Sequence, residues 1–260
     1  ADNINSGRVQ KAPENFLTPT GIKEVFAEGK KGRRDFIRNA LAAAAAGSVA
    51  PMAMAQGNPV PVEGGDPNIL NLPEHACLAV GVDRFDYTKG ILERLHAVER
   101  LLEKRPEWIG RFVFVQVAAP TRASLEEYQE FQERIKRVSK RINDRFGRAD
   151  YQPVHLLATH HEPDAVTELF RAANMCVVTS LHDGMNLVCK EFVAARDDEQ
   201  GALILSRFAG AAREMPEALI INPYHVEETA DALHRAATMT SAEQRERMAV
   251  PVKPGALLQA

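Results

Sequence analysis

Between residues 77 and 239 the chain alternates short apolar runs with longer amphipathic stretches, and that rhythm leaves few folds open. The apolar runs are 77–82, 112–117, 154–158, 175–179, 202–205 and 218–221. Their length and β-branched content are those of strands buried on both faces. The stretch 91–102 puts Ile91, Leu95, Val98 and Leu102 on one side at helical spacing. The long charged stretch 125–146 does the same with Tyr128, Phe131, Ile135, Val138 and Ile142, and 166–173, 187–195 and 226–239 supply three more helices. Strands alternating with helices predict an α/β fold: a Rossmann-like parallel sheet with helices on both faces. Ligands of such sheets bind beyond the carboxyl ends of the strands, so the loops there should carry the chemistry.

Three of those loops hold unusual residues. After the first strand comes VDRFDYTKGILER, in which Arg84 and Lys89 precede a helix beginning near Gly90. Two cations beside free helix N-terminal amides make a diphosphate site. Surface pairing with Asp83, Asp86 or Glu93 is the bland alternative. After the fourth strand comes TSLHDGMNLVCKEF, where Asp183-Gly184 permits a tight turn into a helix at Asn186 or Leu187. The amides of Gly184, Met185, Asn186 and Leu187 would then face sugar hydroxyls or phosphate oxygens. Glu191, one turn further on the same face, suits a pair of ribose hydroxyls. The alternatives are a helix-capping Asp183 and a Glu191 paired with Lys190 or Arg196. In the third loop, AAPTRASLEEY, Ser124 and Glu127 form a capping box and Arg122 projects toward the crevice, unless it is an ordinary solvated arginine.

Composition excludes several classes. The net charge of −3, from 32 basic and 35 acidic residues, gives no bulk attraction to nucleic acid, so any anion site is local. Three cysteines without a CxxC pair build no disulfide framework, and Cys77 and Cys176 read as buried thiols within strands. His160, His161 and His182 lack metal-ligand spacing, so neither metal nor cofactor is expected.

Residues 1–75 have a different texture, rich in Gly, Pro, Ala and Asn. Arg33-Arg34, an apolar Ala-rich stretch over 40–50 and Ala53-Met54-Ala55 follow one another in the order of an export signal, with cleavage before Gln56. The stretch is too short and too weakly apolar to span a membrane. It resembles a twin-arginine signal, and an Ala-rich surface helix is the alternative. VEGGDPNILNLPEH resembles the start of mature sulfane dehydrogenases, exported molybdenum enzymes of the sulfite-oxidase type. No cysteine in a context suited to molybdenum follows. Residues 1–75 are thus expected to be a mostly disordered leader, 76–248 the folded domain and 249–260 a loose tail.

VGVDRFDYTKGILERL, the APTR loop, LHDGMNLVCKEFVAAR and GALILSRFAGAARE, in that order, resemble the trehalose-6-phosphate synthases. These are two-domain GT-B glycosyltransferases that retain configuration, and the match lies on their C-terminal, donor-binding half. The resemblance implies that Arg84 and Lys89 grip the diphosphate of UDP-glucose. It implies that Asp183 holds the donor glucose together with the amides of Gly184, Met185, Asn186, Leu187 and Val188. Glu191 would take the ribose, Arg122 the phosphate of glucose 6-phosphate, and residues 162–166 the uracil. The implied reaction moves glucose from UDP-glucose to glucose 6-phosphate without a protein nucleophile, the leaving diphosphate being stabilised by the two cations.

The family's acceptor-binding half has no counterpart in residues 1–75, so the expected partner is UDP-glucose or UDP, with glucose 6-phosphate bound only if that half is supplied. Little turnover is expected of the domain alone, since a one-walled crevice cannot exclude water or align two substrates. Its exposed apolar face predicts self-association. The resemblance implies a cytoplasmic enzyme, whereas a leader in use implies the periplasm. A natural fusion, a misassembled gene and an engineered chimera all fit that combination, as does a non-catalytic chain whose Rossmann-like domain is a scaffold or inert.

Overall fold

The computed structural model describes residues 76–120, 126–159, 161 and 163–249. The leader over 1–75, Arg122, Ser124, His160, Glu162 and the tail beyond Ala249 lie outside the described residues.

A six-stranded parallel sheet organises the domain. Its strands are β1 (Cys77–Arg84), β2 (Phe112–Ala119), β3 (Val154–Leu157), β4 (Met175–Val178), β5 (Ala202–Ser206) and β6 (Leu219–Ile221). The helices are α1 (Ile91–Lys104), α2 (Glu126–Phe146), α3 (Pro163–Ala172), α4 (Leu187–Ala195), α5 (Val226–Thr238) and α6 (Ser241–Met248). Each strand expected from the sequence is present, with small shifts at the ends. The order β3-β2-β1-β4-β5-β6 is that of doubly wound nucleotide-binding sheets, and the chain reverses direction across the sheet between β1 and β4.

Side-chain alternation along the strands divides the core into two layers. Ala79, Phe112, Phe114, Met175, Val177 and Ile204 face a layer containing the apolar stripes of α1, α2 and α5. Leu78, Val80, Val113, Val115, Cys176, Val178 and Leu205 face Leu169 and Phe170 of α3 and Phe192 of α4. Ile91, Leu95, Val98 and Leu102 are all fully buried, as are Ile135 and Ile142 of α2. Each such side chain contributes about 1.5–3 kcal/mol through its burial.

All three cysteines are free. Burial pushes the thiols of Cys77 and Cys189 up to about 12, so they remain protonated and unreactive at neutral pH. Among the described residues no helix is long and apolar enough to cross a membrane, and no cluster of potential metal ligands occurs.

Candidate functional site

The loops after β1 and β4 meet at the point where the sheet order reverses. Leaving β1, Asp86 caps a single 3-10 turn, Tyr87–Lys89, accepting from the Thr88 amide at 2.9 Å and the Thr88 hydroxyl at 2.7 Å. Burial disfavours the Asp86 carboxylate, but those bonds and the charges of Lys89 and Arg84 outweigh it and hold its pKa below the usual value. Gly90 then turns the chain into α1 with φ +64. Glycine is required there twice over: the left-handed backbone disfavours a side chain, and an added Cβ would lie 2.0 Å from the Thr179 carbonyl oxygen.

That close approach joins the two loops. The Thr179 hydroxyl donates to the Gly90 carbonyl at 2.8 Å, and the Leu181 amide donates to the Thr88 carbonyl at 2.7 Å. Across the same seam the Lys89 ammonium donates to Asp183 at 2.8 Å. Two residues that the sequence assigned to separate roles, a diphosphate cation and a sugar-binding carboxylate, are thus in direct contact. Arg84 is exposed, and its side chain makes no hydrogen bond or ion pair among the described residues, so the surface pairing with Asp86 or Glu93 does not form. Asp83 instead pairs with Arg94, at 2.9 Å.

Asp183 gathers further donors. The Asn186 side-chain amide reaches it at 3.1 Å and the Met185 backbone amide at 3.4 Å. Burial alone would raise the Asp183 pKa, yet the Lys89 and Asn186 bonds overcome it and leave the carboxyl below its ordinary value. Asp183 does not cap α4, as one alternative had it. Asn186 is the cap, its side-chain oxygen accepting from the Cys189 amide at 3.1 Å, in a left-handed conformation at φ 73. The backbone amides of Gly184, Asn186 and Leu187 make no hydrogen bond to other described residues, and space is open around Gly184. Unsatisfied amides beside a helix N-terminus can accept an anion or hydroxyl oxygens. Val188 follows, half-buried, in the first turn of α4.

The loop after β5 braces this turn from behind. The Gly210 amide donates to the Asp183 carbonyl and the Ala211 amide to the Met185 carbonyl, both at 2.9 Å. Lys190, almost fully buried, reaches Glu214 at 2.9 Å, while Arg196 pairs with Asp198. Both suggested partners of Glu191 are therefore engaged elsewhere. Glu191 remains solvent-exposed at its surface, yet the protein packed around it desolvates the carboxyl enough to raise its pKa. A carboxylate without a cationic partner, one helical turn from free amides, has its acceptor sites available for hydroxyl donors.

Sequence reasoning missed a polar cluster behind these loops: Asp83, Arg94, Gln116 and Thr179, of which Arg94, Gln116 and Thr179 have no exposed surface. A signal for it existed. Arg94 falls at apolar-stripe spacing between Ile91 and Val98, where a solvent-facing arginine does not belong. His161 shares a contact with the Thr159 hydroxyl at 3.2 Å and takes part in no metal cluster among the described residues.

Comparison with known proteins places the domain in a family. The glycosyltransferase family 20 profile matches residues 70–253. The UDP-forming α,α-trehalose-phosphate synthase of Botryotinia fuckeliana is 48% identical over 173 residues, covering 66% of this chain and 33% of its own length. The Schizosaccharomyces pombe synthase is 44% identical over 167 residues, covering 64% and 32%. The chain thus spans about a third of the length of these curated relatives. Among solved structures, the Burkholderia xenovorans synthase in complex with glucose-6-phosphate superposes with a TM-score of 0.67 at 44% identity, over 68% of this chain and 39% of that one. The Escherichia coli enzyme bound with UDP-2-fluoro glucose gives 0.66 at 41%, over 67% and 39%. The sheet is that of one GT-B half, and the chain belongs to glycosyltransferase family 20.

Proposed function

We propose that residues 76–248 form the donor-binding half of a UDP-forming trehalose-phosphate synthase, which transfers glucose from UDP-glucose to glucose 6-phosphate with retention of configuration. The observation that carries this reading is the seam at the sheet's reversal point, where Lys89 meets Asp183 at 2.8 Å, with amides of the α4 turn that bond to no other described residue. In this reading Arg84 and Lys89 bind the diphosphate and stabilise the charge that develops as it leaves. Asp183 orients glucose hydroxyls with the amides of Gly184 to Val188, and Glu191 accepts from the ribose. Arg122 and residues 162–166 would serve the acceptor phosphate and the uracil.

Among the described residues a single domain forms one wall of the crevice. Retaining transfer needs both substrates aligned and water excluded, so this half is expected to bind donor but turn it over poorly unless an acceptor-binding half is supplied. Calorimetric titration of UDP-glucose into the parent chain and into an Arg84→Ala, Lys89→Ala double variant tests the reading. Saturable binding lost in the double variant supports it, and a parent chain without saturable binding sinks it. For residues 1–75 we propose an export leader of the twin-arginine type joined to the domain, whether by natural fusion, by misassembly of the gene or as an engineered chimera. A mature N-terminus at Gln56, read by mass spectrometry of exported protein, is the expected product.

A further inference from the structure

Directly beneath the seam lies an arginine with no solvent-exposed surface. The Arg94 guanidinium pairs with Asp83 at 2.9 Å, donates to Gln116 Oε1 at 2.8 Å and donates through Nε to the Thr179 hydroxyl at 3.0 Å. Thr179 passes the chain of bonds on to the Gly90 carbonyl at 2.8 Å. Gln116 anchors the other side, its amide donating to the carbonyls of Gly81 at 3.2 Å and Val117 at 2.9 Å. Even the backbone is shaped around the guanidinium, since a Cβ on Gly81 would stand 2.2 Å from Arg94 Nη1.

A buried ion pair is an inefficient way to gain stability, because desolvating both charges offsets most of their attraction. Its directional bonds are better suited to fixing geometry. Here they tie together β1 at Asp83, α1 at Arg94, β2 at Gln116 and the end of β4 at Thr179. Asp83 immediately precedes Arg84, Gly90 follows Lys89, and Thr179 opens the loop that carries Asp183. Arg84, Lys89 and Asp183 therefore hang from elements this cluster joins, while Glu191 lies further on, in α4.

We propose that Asp83, Arg94, Gln116 and Thr179 form a buried clamp that sets the spacing between the β1–α1 and β4–α4 loops, and with it the fit of the donor diphosphate and sugar. The residues are positioning residues, acting through Arg84, Lys89 and Asp183. The ligand half of this claim rests on the donor-site reading, whereas the loop-spacing half does not.

Thr179→Val keeps the shape of the side chain but removes the hydroxyl that links Arg94 to Gly90. Hydrogen–deuterium exchange and UDP calorimetry on this variant, with Thr179→Ser as the hydroxyl-retaining partner, read the two halves separately. Expected is faster amide exchange confined to residues 84–90 and 179–187, with UDP binding weakened by about tenfold, the loss of roughly one buried hydrogen bond. Thr179→Ser should restore both to parental values. Exchange that rises equally across β2 and β3 makes the cluster a general stabiliser and overturns the proposal, as does unchanged exchange in both loops. A parent chain that does not bind UDP defeats the donor-site reading, while the exchange result still decides the clamp.

Discussion

Lys89 and Asp183 retain only 19% and 13% side-chain exposure, so their contact is shielded more than an ordinary surface pair. Removing the ammonium leaves a half-buried carboxylate facing fewer compensating charges. In Lys89→Met the Asp183 carboxyl should therefore titrate at higher pH than in the parent, followed by carboxyl NMR. The sign follows from linkage: Asp183 is depressed in the folded chain, so its stabilisation is present above the ordinary value of 3.8 and is lost as pH falls through the lower folded value. The variant should show less of that acid-side dependence, since only the Lys89 share of it is removed. UDP affinity should fall at least about tenfold if the ammonium also meets the diphosphate. An unchanged dissociation constant removes Lys89 from the site. At this scale the sequence was informative about which residues matter, because charged and turn-forming residues at strand ends stand out locally. It was silent on their pairing, since Lys89 and Asp183 are 94 positions apart and only the fold brings them together. Arg94 was legible in principle, as a cation in an apolar stripe, but its partners come from three other elements.

The elements themselves were readable because burial imprints a period on each one, and the differences have local causes. β1 runs on to Arg84 because Asp83 and Arg84 stay in register with Ala118 and Ala119 of β2, and charged residues do not announce themselves as strand. α3 begins at Pro163, ahead of its apolar residues, where proline's missing amide costs a helix nothing. The strand order was not readable, because pairing between β1 and β4 depends on no local pattern. Two predictions belong here. Gly90→Ala combines a left-handed backbone with a Cβ driven onto the Thr179 carbonyl, whereas Gly110→Ala meets a left-handed backbone but open space. Thermal unfolding should show a loss of about 1 kcal/mol for Gly110→Ala and clearly more for Gly90→Ala. Equal losses would remove the steric argument for the loop seam. On the edge strand β3, burial pushes the His155 pKa from 6.5 down to about 4, against a backbone hydrogen bond at Gln152. The unfolded chain then binds a proton that the folded chain refuses between those values, so stability falls as pH drops from about 6.5 to about 4 and levels off below. The loss is at most about 3 kcal/mol. Urea midpoints for His155→Gln should show a shallower slope across that window than the parent.

Viewed whole, the domain keeps its large apolar side chains inside with four exceptions: among the described residues the exposed large hydrophobics are Tyr87, Met185, Phe208 and Tyr224. They come from the loops after β1, β4, β5 and β6, so all four lie at the carboxyl end of the parallel sheet, the end that carries the candidate site. Phe208 and Tyr224 pack edge to face at 5.8 Å and present a joint aromatic surface, while Phe208 also accepts from the Asp183 amide through its carbonyl. Apolar groups concentrated on one face lose free energy in water that contact with another apolar surface recovers, at roughly 25 cal/mol per Å² covered. The isolated domain should accordingly self-associate through this face, with sedimentation velocity showing an average mass that climbs with concentration. Phe208→Ser with Tyr224→Ser should shift that association to at least about tenfold higher concentration without changing the unfolding midpoint, since neither ring belongs to the buried core. UDP should compete with association, because the face that pairs is also the face that carries Arg84 and the Lys89–Asp183 contact. Association that persists in the double variant and ignores UDP would assign the contact to another surface and leave the carboxyl-end loops free for donor alone.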